Sequence, residues 1–139
     1  MSKIIQNTLI QLLLSLNLEK DDFSVFGSGP MFGHGLIELT NDLDIIARGK
    51  AWEQAKKFGG ISTENGTEKT IKLFNKRIEI GNYFYPGNFD TNELIDTSNI
   101  IEEIRFVRLE NVLTYKKILN RPKDIIHIKI IEKYLKLHM

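Results

Sequence analysis

The sequence predicts an α/β domain of the α+β kind: a mixed sheet flanked by helices, with a helical C-terminal part. Three observations point there. Short runs alternate apolar and polar residues at 23–26, 41–47, 70–74 and 77–81, the two-residue period of strands. Stretches with apolar residues three and four apart, such as 5–16 and 109–119, carry the period of helices. The two kinds of stretch interleave along the chain, as they do where helices cover a sheet. At 139 residues the expectation is one domain with its own core.

Taken in order, Ser2 stands where it can cap a first helix whose stripe is Ile5, Leu9, Leu12, Leu13 and Leu16. Asn17, Asp21 and Asp22 end it. The strand Phe23-Ser24-Val25-Phe26 breaks at Gly27-Ser28-Gly29-Pro30, where Pro30 suits the first position of a short helix. Residues 41–47 form the next strand, and Arg48-Gly49-Lys50 the turn after it. Trp52, Ala55 and Phe58 then give a helix over 51–58 an apolar face, with Gly59-Gly60 closing it.

Residues 60–67, rich in Ser, Thr, Asn and Gly, read as a loop. The runs at 70–74 and 77–81 flank Asn75-Lys76 as a hairpin. Pro86-Gly87 marks a turn, and Asp90 with Glu93 is a capping box that starts a helix at Thr91. Residues 100–107 read as one last strand, interrupted by Glu102, Glu103 and Arg105. A helix over 109–119 sets Leu109, Val112, Leu113 and Lys116 on one face. Pro122 opens a final helix with Ile125, Ile128, Ile131 and Leu135 on its stripe.

Composition narrows the function. A formal net charge of +1 supplies no field to gather nucleic acid or an acidic membrane surface, so no strong general nucleic-acid binding is expected and phosphate recognition must be local. The absence of cysteine excludes disulfides, thiolate metal sites and a cysteine nucleophile. The longest apolar run, around Leu12-Leu13-Leu14, is far shorter than a membrane span and lacks the flanks of a signal peptide. A soluble cytoplasmic protein with no membrane partner is the expectation.

The chemistry concentrates in residues 27–44. Asp42 and Asp44, two apart on a strand, share a face at a spacing of about 6.6 Å along it. Such carboxylates repel each other unless cations or water intervene. Mg²⁺ takes one or two carboxylates plus waters and substrate phosphates, and paired metals are the recurring apparatus for displacement at phosphorus. Upstream, Gly27 and Gly29 permit backbone conformations closed to other residues and Ser28 offers a hydroxyl. Such a turn can aim N–H groups at an anion.

Gly27-Ser28, then Asp42-Leu43-Asp44 on the following strand, then the acid in Ile78-Glu79-Ile80, resembles the nucleotidyltransferase superfamily whose fold is shared with DNA polymerase beta. It looks closest to the small bacterial members, the minimal and antibiotic-modifying nucleotidyltransferases. The resemblance implies that Gly27 and Ser28 hold the phosphates of an NTP. It implies that Asp42, Asp44 and Glu79 are the catalytic acids and bind Mg²⁺ or Mn²⁺, Glu79 helping to activate an acceptor hydroxyl. It covers about the first two thirds of the chain. More weakly, Arg121-Pro122-Lys123-Asp124 after the penultimate helix is similar to the helical tail of these proteins. The chain departs from the pattern in having no Lys or Arg between Ser28 and Asp42, Glu rather than Asp as third acid, and no large extra helical domain.

Each candidate also has a plainer reading. Glu79 can pair with Lys72 across the hairpin. Arg48, Lys50, Arg121 and Lys123 can reach a triphosphate or stand as surface charges. Tyr83 and Tyr85 can stack on a base or serve as core and rim. His34 lies near where a nucleotide would sit but reads as a loop residue, and His127 and His138 lack metal-ligand spacing. Three functions remain open: transfer of a nucleoside monophosphate from an NTP to a hydroxyl acceptor, a non-catalytic nucleotide-binding module or toxin-antitoxin-type partner of a small helical protein, and a plain structural domain.

Overall fold

The computed structural model of the chain describes residues 3–64 and 68–138. Ser2, the expected cap of the first helix, lies outside the described residues. Where the apolar stripe predicts one helix there are two, α1 (Lys3–Gln6) and α2 (Thr8–Ser15). The break is Asn7, whose extended backbone leaves its Oδ1 to accept from the N–H groups of Leu9 at 2.9 Å and Ile10 at 3.1 Å. A single 3-10 turn at Lys20–Asp22 leads into β1 (Phe23–Phe26). Then come α3 (Gly29–Gly33), β2 (Leu43–Ala47) and α4 (Gly49–Ala55). The last of these starts two residues earlier than the sequence suggests and ends well before Gly59.

The loop expected over 60–67 is corrected in its first half. Residues Ile61–Glu64 form a strand, β3, paired antiparallel with β4 (Glu68–Leu73), while 65–67 lie outside the described residues. The polar composition that suggests a loop belongs here to an edge strand, which does not need an apolar composition to pair. The hairpin of β4 and β5 (Ile78–Gly81) is as expected. Asp90 caps α5 (Thr91–Asp96), accepting from the Glu93 N–H at 3.0 Å. The single strand expected over 100–107 is instead a tight hairpin, β6 (Asn99–Ile101) and β7 (Ile104–Phe106). Glu102 and Glu103 form its turn with positive φ, 51° and 68°. The chain ends in α6 (Leu109–Leu119) and α7 (Pro122–Leu137), separated by Asn120 in the left-handed conformation.

Among the described residues the strands make one seven-stranded mixed sheet in the order β3-β4-β5-β2-β1-β7-β6. β1 lies at its middle, antiparallel to β2 and parallel to β7, and β2 runs parallel to β5. Alternation along β1 and β2 separates two cores. Val25 and Ile45 join Leu9, Leu13, Ala51 and Trp52 on one face, while Phe26 and Ile46 join Leu94, Val112 and Ile131 on the other. Helices α2 and α4 therefore cover the first face and α5, α6 and α7 the second. Ile125, expected on the inward stripe of α7, is 46% exposed, and Ile131 is the buried anchor.

Candidate functional site

The acids are placed by the pleat of the sheet. Asp44 lies between Leu43 and Ile45, which belong to the first core, so it points to the second face, the one under α6 and α7. Glu79 lies between Ile78 and Ile80 in the same way and is the register partner of Asp44 on the parallel neighbour β5. Lys72 is the partner of Glu79 on β4, and Phe26 the partner of Asp44 on β1. One row thus crosses four strands as Phe26, Asp44, Glu79, Lys72. Adjacent strands lie about 4.8 Å apart, so two like charges in register repel. Asp42 stands one residue outside β2, exposed, and keeps the alternation with half-buried Asp44.

Gly27 follows β1 with φ of +63°. A Cβ on it would sit 2.6 Å from Asp44 Oδ2. Only glycine therefore lets the turn close against the carboxylate. Gly29 is equally confined, since its Cβ would meet Val25 Cγ1 at 2.2 Å. The helix after the turn is too short for its dipole to govern anion binding, so an anion here would be met by the turn itself and by side-chain cations.

Those cations come from the other end of the chain. Lys116 of α6, expected as part of an apolar face, is 1% exposed. Its Nζ donates to Ser28 Oγ at 2.9 Å and reaches Asp124 Oδ1 at 3.4 Å. Arg121 closes round the same carboxylate, its Nε donating to Oδ2 at 2.6 Å and its Nη2 to Oδ1 at 3.1 Å. Burial lowers the Lys116 pKa against the opposing pull of Asp124. For Asp124, burial pushes upward, but the Arg121 hydrogen bonds and the neighbouring cations outweigh it and hold the carboxyl down to about 2. The Arg121 pKa is raised chiefly by its bond to Asp124, with a further contribution from the charge of Asp44.

All five residues singled out from the sequence, Gly27, Ser28, Asp42, Asp44 and Glu79, line a single cavity of about 250 Å³. Lys116, Arg121 and Lys123 add positive charge to its wall, and Phe84, Tyr115 and Leu119 add an apolar side. Lys116, Phe84 and Tyr115 were not readable as site residues from local spacing. Tyr83 and Tyr85 do not line this cavity: the Tyr83 hydroxyl donates to the Gly87 carbonyl, and Tyr85 is 55% exposed. β5 has ended at Gly81, so the strand alternation no longer applies and Phe84 turns inward instead.

Other candidates fall outside this cavity. Arg48 bonds Asp22, Asp96 and the Asp21 carbonyl, tying β2 to the 3-10 turn and α5, and Lys50 pairs with Glu19. His34 packs on Tyr134 and lines a separate hollow. His138 stacks on Tyr134 as well. Among the described residues, no three His, Asp or Glu side chains are drawn into a ready-made metal cage. No described helix is long and apolar enough to cross a membrane. Comparisons with protein-family models, curated proteins and solved structures found no match to this chain.

Proposed function

We propose that the protein is a nucleotidyltransferase of the kind whose fold is shared with DNA polymerase beta, moving a nucleoside monophosphate from an NTP to a hydroxyl acceptor. The observation that carries this reading is the composition of one cavity. Carboxylates from β2 and β5 and cations from α6 and α7 meet at the Gly27-Ser28 turn, beside an apolar wall of Phe84, Tyr115 and Leu119. A divalent metal, a polyphosphate and a base are each matched by one part of it.

The donor set fits the metal. Asp42, Asp44 and Glu79 are hard oxygen ligands, and Mg²⁺ or Mn²⁺ prefers a few carboxylates completed by water and phosphate to a closed protein cage. Bound there, the ion would neutralise charge on the phosphates and on the attacking oxygen. The chain's own residues do the rest. Lys116, fixed by Ser28 and Asp124, and Arg121 offset the charge of the triphosphate. The acceptor oxygen attacks the α-phosphorus and its proton passes to Glu79. The bond from the α-phosphorus to the bridging oxygen breaks, and pyrophosphate leaves. Positioning and charge neutralisation supply most of the rate in such chemistry.

The test is transfer of label from α-labelled NTPs with Mg²⁺ or Mn²⁺ into acceptors in a cell extract, read with pyrophosphate release. Asp42→Asn and Asp44→Asn should each lower transfer by about 100-fold or more while circular dichroism stays unchanged. Full activity in either variant would contradict the assignment of ligands. A second reading, a binding module that docks a small helical partner of toxin-antitoxin type, draws support from Ile118, Ile125 and Ile126, which are 45%, 46% and 62% exposed on α6 and α7. Co-purification of such a partner, with no transfer by the complex, would favour it.

A further inference from the structure

A second cavity, of about 240 Å³, opens beside the first and shares Ser28, Asp42 and Lys123 with it. Its own walls are the connection between α3 and β2, from Ile37 to Asn41, and His127, one turn beyond Lys123 on α7. We propose that this cavity is the acceptor site and that the acceptor is a small hydroxyl-bearing molecule with an anionic group, a phosphate or a carboxylate, held by Lys123. The inference rests on the nucleotidyl-transfer reading of the first cavity.

Position is the first argument. In-line displacement needs the nucleophile on the side of the phosphorus away from the leaving group. Lys116 and Arg121, which meet the triphosphate, line only the first cavity, whereas Asp42 belongs to both. A molecule seated in the second cavity therefore extends its reacting hydroxyl past Asp42 into the first, where Glu79 stands, with the leaving group on the Lys116 side.

Charge is the second. Glu38 is taken by Lys3, whose Nζ lies 2.5 Å away. Asp42 serves the cation site. Burial, and then the charge of Lys116, lower the His127 pKa from its ordinary value, so it adds little positive charge here. Lys123 joins no ion pair among the described residues, so it sets the sign of the pocket. A polycationic acceptor would meet that charge unfavourably, and a phosphate or carboxylate would neutralise it.

Hydrogen bonding is the third. Thr40 and Asn41 supply a hydroxyl and an amide for a polyol. Among the described residues the Nδ1 of His127 is buried without a hydrogen-bond partner, and such an atom costs about 1–3 kcal/mol when nothing meets it. A hydroxyl bound in the cavity would answer that need once the imidazole ring turns toward it.

The deciding experiment is an amide-shift titration of the full chain by NMR. The probes, each added with Mg²⁺ present so that Asp42 is engaged, are glycerol 3-phosphate and lactate, with glycerol as the neutral and ethanolamine as the cationic counterpart. The anionic probes should saturate shifts at Thr40, Asn41 and His127 at least tenfold more tightly than glycerol, and ethanolamine should be weakest. Lys123→Gln should weaken them at least tenfold. His127→Phe, which leaves the charge in place, should lose the hydroxyl contribution only, bringing glycerol 3-phosphate close to inorganic phosphate. Equal binding of glycerol and glycerol 3-phosphate, or shifts confined to Ser28 and Lys116, would overturn the proposal. A non-hydrolysable ATP analogue with Mg²⁺ should in turn shift Ser28 and Lys116. Its failure to do so, with Thr40 and Asn41 still responding to glycerol 3-phosphate, would overturn the acceptor role by removing the transfer reading while leaving an anion site.

Discussion

Gly27 is where the two halves of the site touch, because its missing side chain is the room Asp44 occupies. Gly27→Ala would force a Cβ into the carboxylate on a left-handed backbone. The expected loss is about 1–3 kcal/mol by urea denaturation, together with displacement of Asp44. Asp124 carries a second residue-scale consequence. Its native pKa of about 2 lies below the value near 3.9 of an unfolded aspartate, so the unfolded chain takes up the proton first as pH falls. Stability from this group is complete above about pH 5 and lost on the way down to pH 2, amounting to about 2 kcal/mol. Asp124→Asn should flatten the acid limb of a stability-against-pH curve over that window; an unchanged limb would contradict the assignment. Asp42 and Asp44 were legible because strand alternation is a local rule. Lys116 was not, since its partner Ser28 is 88 positions away and its helix pattern reads as an ordinary apolar face.

Elements show the same divide between local and distant causes. The capped start of α5 and the β4-β5 hairpin follow from neighbouring residues, and both were readable. The β6-β7 hairpin was not. Its turn is Glu102-Glu103, a pair that local rules do not associate with two successive left-handed residues. The turn is instead dictated by Ile104 and Phe106, which are buried while Ile100 is left 59% exposed at the sheet edge. Replacing Glu102-Glu103 by Asn-Gly should remove that conflict and stabilise the protein by about 0.5–1 kcal/mol, a rise of a few degrees in melting temperature. A fall would mean that the glutamates make contacts the turn geometry does not require. Residues 61–64 are obscured for a related reason: only Ile61 among them is apolar, and an edge strand that polar still pairs, so composition alone marks it as loop.

Across the whole molecule, the sheet order brings the site together from three separated stretches. β5 is inserted beside β2, which sets Glu79 against Asp44, and the chain returns through α6 and α7 to lay Lys116 and Arg121 over the same face. The kind of fold was readable from the interleaved periods, but this order was not, because it depends on which buried faces match. The row from Phe26 to Lys72 holds opposite charges at one end and like charges at its centre, an arrangement that a bound divalent cation would relieve.

The most direct measurement is the thermal shift of the purified protein with each NTP, with and without Mg²⁺, repeated on the Asp42→Asn, Asp44→Asn double variant. Ligand at about a hundred times its dissociation constant stabilises the native state by about 2.7 kcal/mol, several degrees for a domain of this size. The expected result is a shift that needs Mg²⁺ and disappears in the double variant. A shift that persists in the double variant, or none with any NTP, would contradict it.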